Sequence, residues 1–185
     1  MRKQASFDVR VLPAAEWSEL APFLFERNIT EGLLCLHSDA GPTLEAYEAD
    51  LLNLAAHEAC FVVERGNGRI VGALGAQFDV DLGRAWLRGP FLAPAAAAGR
   101  QADPLRAAML ERLLAAVPDN INELHALIAA TQPETIDFFL RAGFEQLPSE
   151  FIYAAPRPVR PPPPSSPDGY SIEVCHPEWL PALMT

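Results

Sequence analysis

A proline inside a strand is the first chemically telling feature of this chain. Gly89-Pro90 interrupts a run, Trp86 to Leu92, that otherwise reads as a strand. Proline donates no ladder hydrogen bond, and Gly-Pro within a strand marks a bulge or an edge. The run therefore peels away from one neighbour and leaves backbone groups open to a ligand. The segment between Leu92 and Asp103 leads on to a helix, and a second helix opens at Gln132, so a site is expected between them. Ionisable side chains are scattered around this point. His125 on the next strand is either a base or a satisfied core histidine. Cys35 and His37 lie two residues apart in a loop, which alone does not make a thiol–imidazole pair. His57 closes a helix, where the dipole favours a cation. Glu64, Asp79 and Asp81 are the carboxylates near the bulged run, each of a kind usually found as a solvated turn or strand-end charge.

The elements that must hold these groups follow from periodicity. From Ala85 to Phe144 the order is strand, loop, helix, strand, helix, with short connections. That order needs two parallel strands side by side with the first helix as crossover, and ligands lie beyond the carboxyl ends of such strands. Asp103-Pro104 predicts a helix start with Asp as N-cap. Leu124 to Ala130 predicts a buried strand, and Thr131-Gln132-Pro133-Glu134 has the spacing of a capping box. Gly143 is the expected left-handed C-cap.

Upstream, Phe7, Val9 and Val11 alternate as a half-buried strand ended by Pro13. Glu16 to Ile29 has helical spacing, with Pro22 expected to kink or divide it. Thr43 caps a helix expected to reach His57. Cys60 to Glu64 and Arg69 to Leu74 form a hairpin around Asn67-Gly68. Phe151-Ile152-Tyr153 is a final strand, and 157–167 is a proline-rich, extended spacer. Tyr170, Ile172 and Val174, followed by Pro177, Glu178 and Trp179, repeat with one gap the opening pattern of Phe7, Val9, Val11, Pro13, Glu16 and Trp17. The expected organisation is a domain at 1–155, a linker at 156–167, and at 168–185 either the start of a second repeat or a strand-forming tail.

Composition bounds the function. The 185 residues are half hydrophobic and carry a net charge of −10, which argues against nucleic acid or an anionic membrane as main partner. Cys35, Cys60 and Cys175 are far apart, so no metal site is expected and a reducing cytoplasm is the simpler home. The opening MRKQASFDVRV has no apolar core of signal-peptide length, and no run approaches the roughly 20 apolar residues of a membrane span.

The order of elements, with Gly89-Pro-Phe-Leu-Ala-Pro94 on the bulged strand and Asp137-Phe-Phe-Leu-Arg-Ala-Gly-Phe144 at a helix end, resembles the GNAT superfamily of N-acetyltransferases over about Phe7 to Ala155. The resemblance implies an α/β fold: a mixed, mostly antiparallel sheet with a splayed parallel strand pair, flanked by helices. It implies transfer of acetyl from acetyl-CoA to a small-molecule amine or a peptide. The pantetheine arm would pair with the backbone of Phe91, Leu92 and Ala93, and the pyrophosphate would lie on the following loop, at Gly99, Arg100, Gln101 and Ala102, with Arg106 as a further cation. Gln132 stands where the family often has Asn, and Phe139 where it often has a general-acid Tyr. The chain departs from the family in its loop, where Gly99 is the one glycine and Asp103 puts a negative charge. Phe139 has no proton to give, so the catalytic residues stay unassigned. The repeat at Tyr170 suggests a tandem arrangement. The alternatives are a non-catalytic scaffold or acyl-CoA sensor for a second domain, and a homodimer joined through the C-terminal strand.

Overall fold

The computed structural model describes residues 7–30, 43–54 and 58–147. The chain falls into two units, Met1–Gln146 and Leu147–Thr185, and the elements below belong to the first. The strand expected at Phe151, the proline-rich spacer, the repeat at Tyr170, the Cys35–His37 pair and His57 lie outside the described residues.

Five strands form one sheet in the order of the chain: β1 (Arg10–Val11), β2 (Ala59–Gly66), β3 (Arg69–Asp79), β4 (Arg84–Leu92) and β5 (Glu123–Ala126). The first three pairings are antiparallel and the last, β4 with β5, is parallel. This is the mixed, mostly antiparallel sheet the sequence predicts. The helices are α1 (Trp17–Phe25), α2 (Leu44–Asn53), α3 (Pro94–Ala97), α4 (Ala102–Leu114) and α5 (Pro133–Arg141).

Strand alternation sorts the side chains onto two faces. On one, Phe61, Ala73 and Phe91 meet Trp17, Leu20 and Leu24 of α1 and Tyr47 and Leu51 of α2. The Trp17 ring stands edge-on to Phe61 at 5.2 Å, and its Nε1–H donates to the Leu12 carbonyl. On the other, Val62, Leu74 and Leu87 meet Leu105, Met109 and Leu113 of α4 and Phe138 and Phe139 of α5. Burying each of these large side chains contributes roughly 1.5–3 kcal/mol. The β2–β3 hairpin turns at Asn67 and Gly68, both at positive φ (51° and 77°), as a two-residue turn of right-handed-twist type demands.

Several expectations are corrected. Of the two outcomes expected at Pro22, division into two helices does not occur. α1 runs through it and then widens into a five-residue π turn, Glu26–Thr30. Thr43 does cap α2, its Oγ1 accepting from the Ala46 N–H at 3.2 Å, but the helix ends at Asn53. Asp103 is not an N-cap. α4 begins at Ala102 with Gln101 before it, and Asp103 lies in the first turn with its carboxylate committed to arginines. The capping box at Thr131 does not form either: α5 starts at Pro133 and no side-chain cap closes it. The buried strand expected to reach Ala130 stops at Ala126 and is only half-buried, because its one sheet neighbour, β4, leaves it there.

Candidate functional site

The parting of β4 and β5 makes the site. Arg84, Ala85, Trp86 and Leu87 pair with Glu123, Leu124, His125 and Ala126, and the pairing ends there. β4 stays on β3 beyond this point, but the register shifts between Ala73 and Gly75, opposite Phe91 and Arg88, so β4 carries an extra residue. Gly89 sits in that bulge at φ +101°, joined to Pro90 by a cis peptide bond. A Cβ on Gly89 would stand 2.8 Å from the Phe91 nitrogen and 3.1 Å from the Ala73 oxygen, so no other residue fits. The Gly-Pro reading of the sequence therefore matches the bulge observed.

Past the bulge the backbone alternates. The Ala93 N–H donates to the Val71 carbonyl of β3 at 2.8 Å. The N–H and C=O of Leu92 accordingly point the other way, into the gap. The Phe91 and Leu92 side chains are buried on opposite faces, so it is main chain that borders the gap here. The Leu92 carbonyl accepts a hydrogen bond of 3.4 Å from Nη1 of Arg27, a buried residue of the π turn. The sequence signal for Arg27 is slight: a charged pair, Glu26-Arg27, directly after the apolar run Phe23-Leu24-Phe25.

The loop after β4 differs from a phosphate cradle. Pro94 opens a one-turn helix, α3, built on the alanines. The N–H groups of Ala96, Ala97, Ala98, Gly99 and Ala102 all donate to carbonyls of the same segment. Among the described residues, the amides of Arg100, Gln101 and Asp103 make none of these bonds. The Arg100 and Gln101 side chains are exposed, while Ala102 is buried. Arg106 is buried too, its Nη1 2.8 Å from Asp103 Oδ1. The other Asp103 oxygen holds Arg141 of α5 at 2.6 Å. The bulged strand thus presents main chain at the gap, and the loop presents side-chain guanidiniums in place of a ring of amides.

Gln132 precedes α5, half-buried, with its Oε1 3.5 Å from Thr135 Oγ1. Phe139 is buried between Phe138 and Phe144, at ring distances of 5.2 and 4.9 Å. The Phe144 N–H donates to the Phe139 carbonyl across the Gly143 turn, where φ is +93°. His125 is no core histidine. Its side chain is 27% exposed, its Nε2 lies 3.1 Å from Glu123 Oε2, and its ring rests 4.9 Å from Trp86. Glu64 is on β2, two strands from the bulged strand, where burial raises its carboxyl above the usual range and a backbone bond from Asp8 opposes this. Asp79 and Asp81 line a cavity of about 560 Å³ with Glu58, Gln77 and Trp86. Among the described residues no group of His, Cys, Asp and Glu could hold a metal, and no helix is long and apolar enough to cross a membrane.

No family model matches the sequence, and no curated protein matches it. Solved structures do. One is a predicted acetyltransferase with acetyl-CoA from Clostridium acetobutylicum, at TM-score 0.58 and 14% identity, covering 80% of this chain and 96% of that one. A possible acetyltransferase from Clostridium difficile gives 0.56 and 9%, covering 82% and 98%. The enzyme AAC(6')-Iy in complex with the bisubstrate analog CoA-S-monomethyl-acetylneamine gives 0.52 and 17%, covering 82% and 99%. The chain has the fold of these acetyltransferases, that of the GNAT superfamily, with its mixed five-stranded sheet and one parallel pair.

Proposed function

We propose that this protein is an N-acetyltransferase that moves acetyl from acetyl-CoA to a small-molecule amine or a peptide by direct attack in a ternary complex. The observation that carries the reading is the gap beyond Leu87 and Ala126, with the Leu92 main chain turned into it. The Leu92 N–H would polarise the thioester or pair with the pantetheine arm, and catalysis would come chiefly from positioning. Arg100, and Arg106 once released from Asp103, would meet the phosphates through forked donors. Phe91, Ala93, Gly99, Gln101, Ala102, Gln132 and Phe139 complete the proposed cofactor wall. The departing thiolate would take its proton from water, since Phe139 has none to give.

The committed loop amides favour a second reading, a non-catalytic scaffold or acyl-CoA sensor for a further domain. On either reading residues 168–185 begin a second repeat or form a strand that joins two copies, and the protein works in the cytoplasm. The deciding experiment is thermal unfolding of the full chain with and without acetyl-CoA, followed by CoA release in the presence of an amine panel. Ligand at ~100 times its Kd adds roughly 2.7 kcal/mol. A shift with turnover supports the enzyme, a shift without turnover supports the sensor, and no shift refutes both as cofactor-binding proteins.

A further inference from the structure

Arg88 is the first residue of β4 beyond its pairing with β5, at the apex of the gap and directly before the bulge. It is 5% exposed. Its Nη2 donates to Gln77 Oε1 at 2.8 Å, and among the described residues Nε and Nη1 have no partner although both are buried. A guanidinium keeps its charge at any pH a protein survives, so it cannot escape by losing a proton. Two buried donors and a full positive charge held by one neutral amide make an unfavourable arrangement unless something else completes it. Every two-pronged edge of a guanidinium includes either Nη2 with Nε or Nη2 with Nη1. An incoming carboxylate would therefore use Nη2 and one open nitrogen, with the Gln77 amide as the group that yields. Gln77 also lines the 560 Å³ cavity, together with Trp86, Glu58 and Asp79, so the yielding group stands between Arg88 and open space. The carboxylates of that wall suit a cation, and Arg88 behind it suits an anion.

We propose that Arg88, at the apex of the β4–β5 gap behind Gln77, receives a carboxylate carried by one of the two substrates. The acidic wall favours the acceptor as its bearer, an amine of the amino-acid class, over a dicarboxylic acyl group. The inference rests on the acyl-transfer reading for the reaction, and on Arg88 for the charge of the substrate.

The test uses the full chain and probes that differ by one carboxylate. N-acetyl amino acids are set against the matching amides, and succinyl-CoA against acetyl-CoA, with Kd from the unfolding midpoint. Wild type is expected to prefer the carboxylate member of one pair at least tenfold. The preference is lost in Arg88→Met and partly kept in Arg88→Lys. Discrimination in the first pair places the carboxylate on the acceptor, and in the second pair on the acyl group. The free Arg88→Met protein is expected to unfold at a higher temperature than wild type, since an unpaired buried charge is gone. Indifference of wild type to the carboxylate in both pairs overturns the proposal, as does a preference that survives in Arg88→Met. If Arg88→Met does not fold, Arg88→Lys and wild type still decide between these outcomes. A carboxylate preference without CoA release overturns acyl transfer and leaves the role of Arg88 standing.

Discussion

Replacing Gly89 by alanine separates the bulge from the loop that follows it. At φ +101° an L-residue is strained by roughly 1–3 kcal/mol. The new Cβ would also stand 2.8 Å from the Phe91 nitrogen and 3.1 Å from the Ala73 oxygen, both main-chain atoms that no rotamer change can move. Overpacking of this kind adds a further ~1–3 kcal/mol. The expected loss is thus about 4 kcal/mol, a large part of the roughly 5–15 kcal/mol that holds a domain together. At ~2–4 °C per kcal/mol for a chain of this size, the midpoint should fall by about 8–16 °C. Gly99 supplies the control. A Cβ there meets nothing closer than 3.6 Å, and its φ is not in the left-handed region. Gly99→Ala should be neutral, or stabilising by about 0.4–1 kcal/mol through the unfolded chain. Urea unfolding followed by far-UV circular dichroism measures both. A Gly89→Ala loss under ~1 kcal/mol, or a Gly99→Ala loss of similar size to it, would refute the assignment of the constrained glycine to the bulge.

Other expectations follow from single groups. Asp103→Asn frees Arg106 and Arg141 and should tighten acetyl-CoA binding about two- to fivefold, the worth of one charge at a helix terminus, in calorimetric titration; weaker binding would contradict it. Burial raises the Glu64 carboxyl in the folded state, so its favourable contribution is full below the unfolded pKa and lost as pH rises through the folded one. Glu64→Gln should therefore be more stable than wild type at neutral pH, with an advantage that shrinks on acidification; an advantage that grew would reverse the sign. Burial pushes the Cys60 thiol up to about 11. At pH 8 its alkylation, followed by peptide mass spectrometry, should run about 200-fold slower than in the urea-unfolded chain.

The parts of the fold legible in the sequence are those where one residue type alone satisfies the backbone. Asn67-Gly68, Gly89-Pro90 and Gly143 each demand a conformation that other residues resist, and each lies where expected. Capping was less legible. Asp103 and Thr131 have cap-like types, but α4 begins two residues before its expected start and α5 one residue after, because Asp103 is claimed by Arg106 and Arg141 and Pro133 sets the first turn of α5. The run from Leu124 to Ala130 is apolar but for His125 and so suggests a longer strand than β5, whose length is fixed by a neighbour that departs before the bulge. The one-turn helix α3 had a signal, Pro94 before a run of alanines, outweighed by the expectation of a loop. The burial of Arg88 and the reach of Arg27 to Leu92 are tertiary facts with no local signature.

The two described tryptophans occupy opposite situations. Trp17 is sealed against Phe61 in the core, while Trp86 is half-buried, lines the cavity and rests against His125. Filling the cavity changes the polarity around one indole and leaves the other untouched. Trp86 is thereby an optical probe built into the cavity, whose emission colour, read as the difference from a Trp86→Phe chain, reports occupancy with no dye attached and before any acceptor has a name.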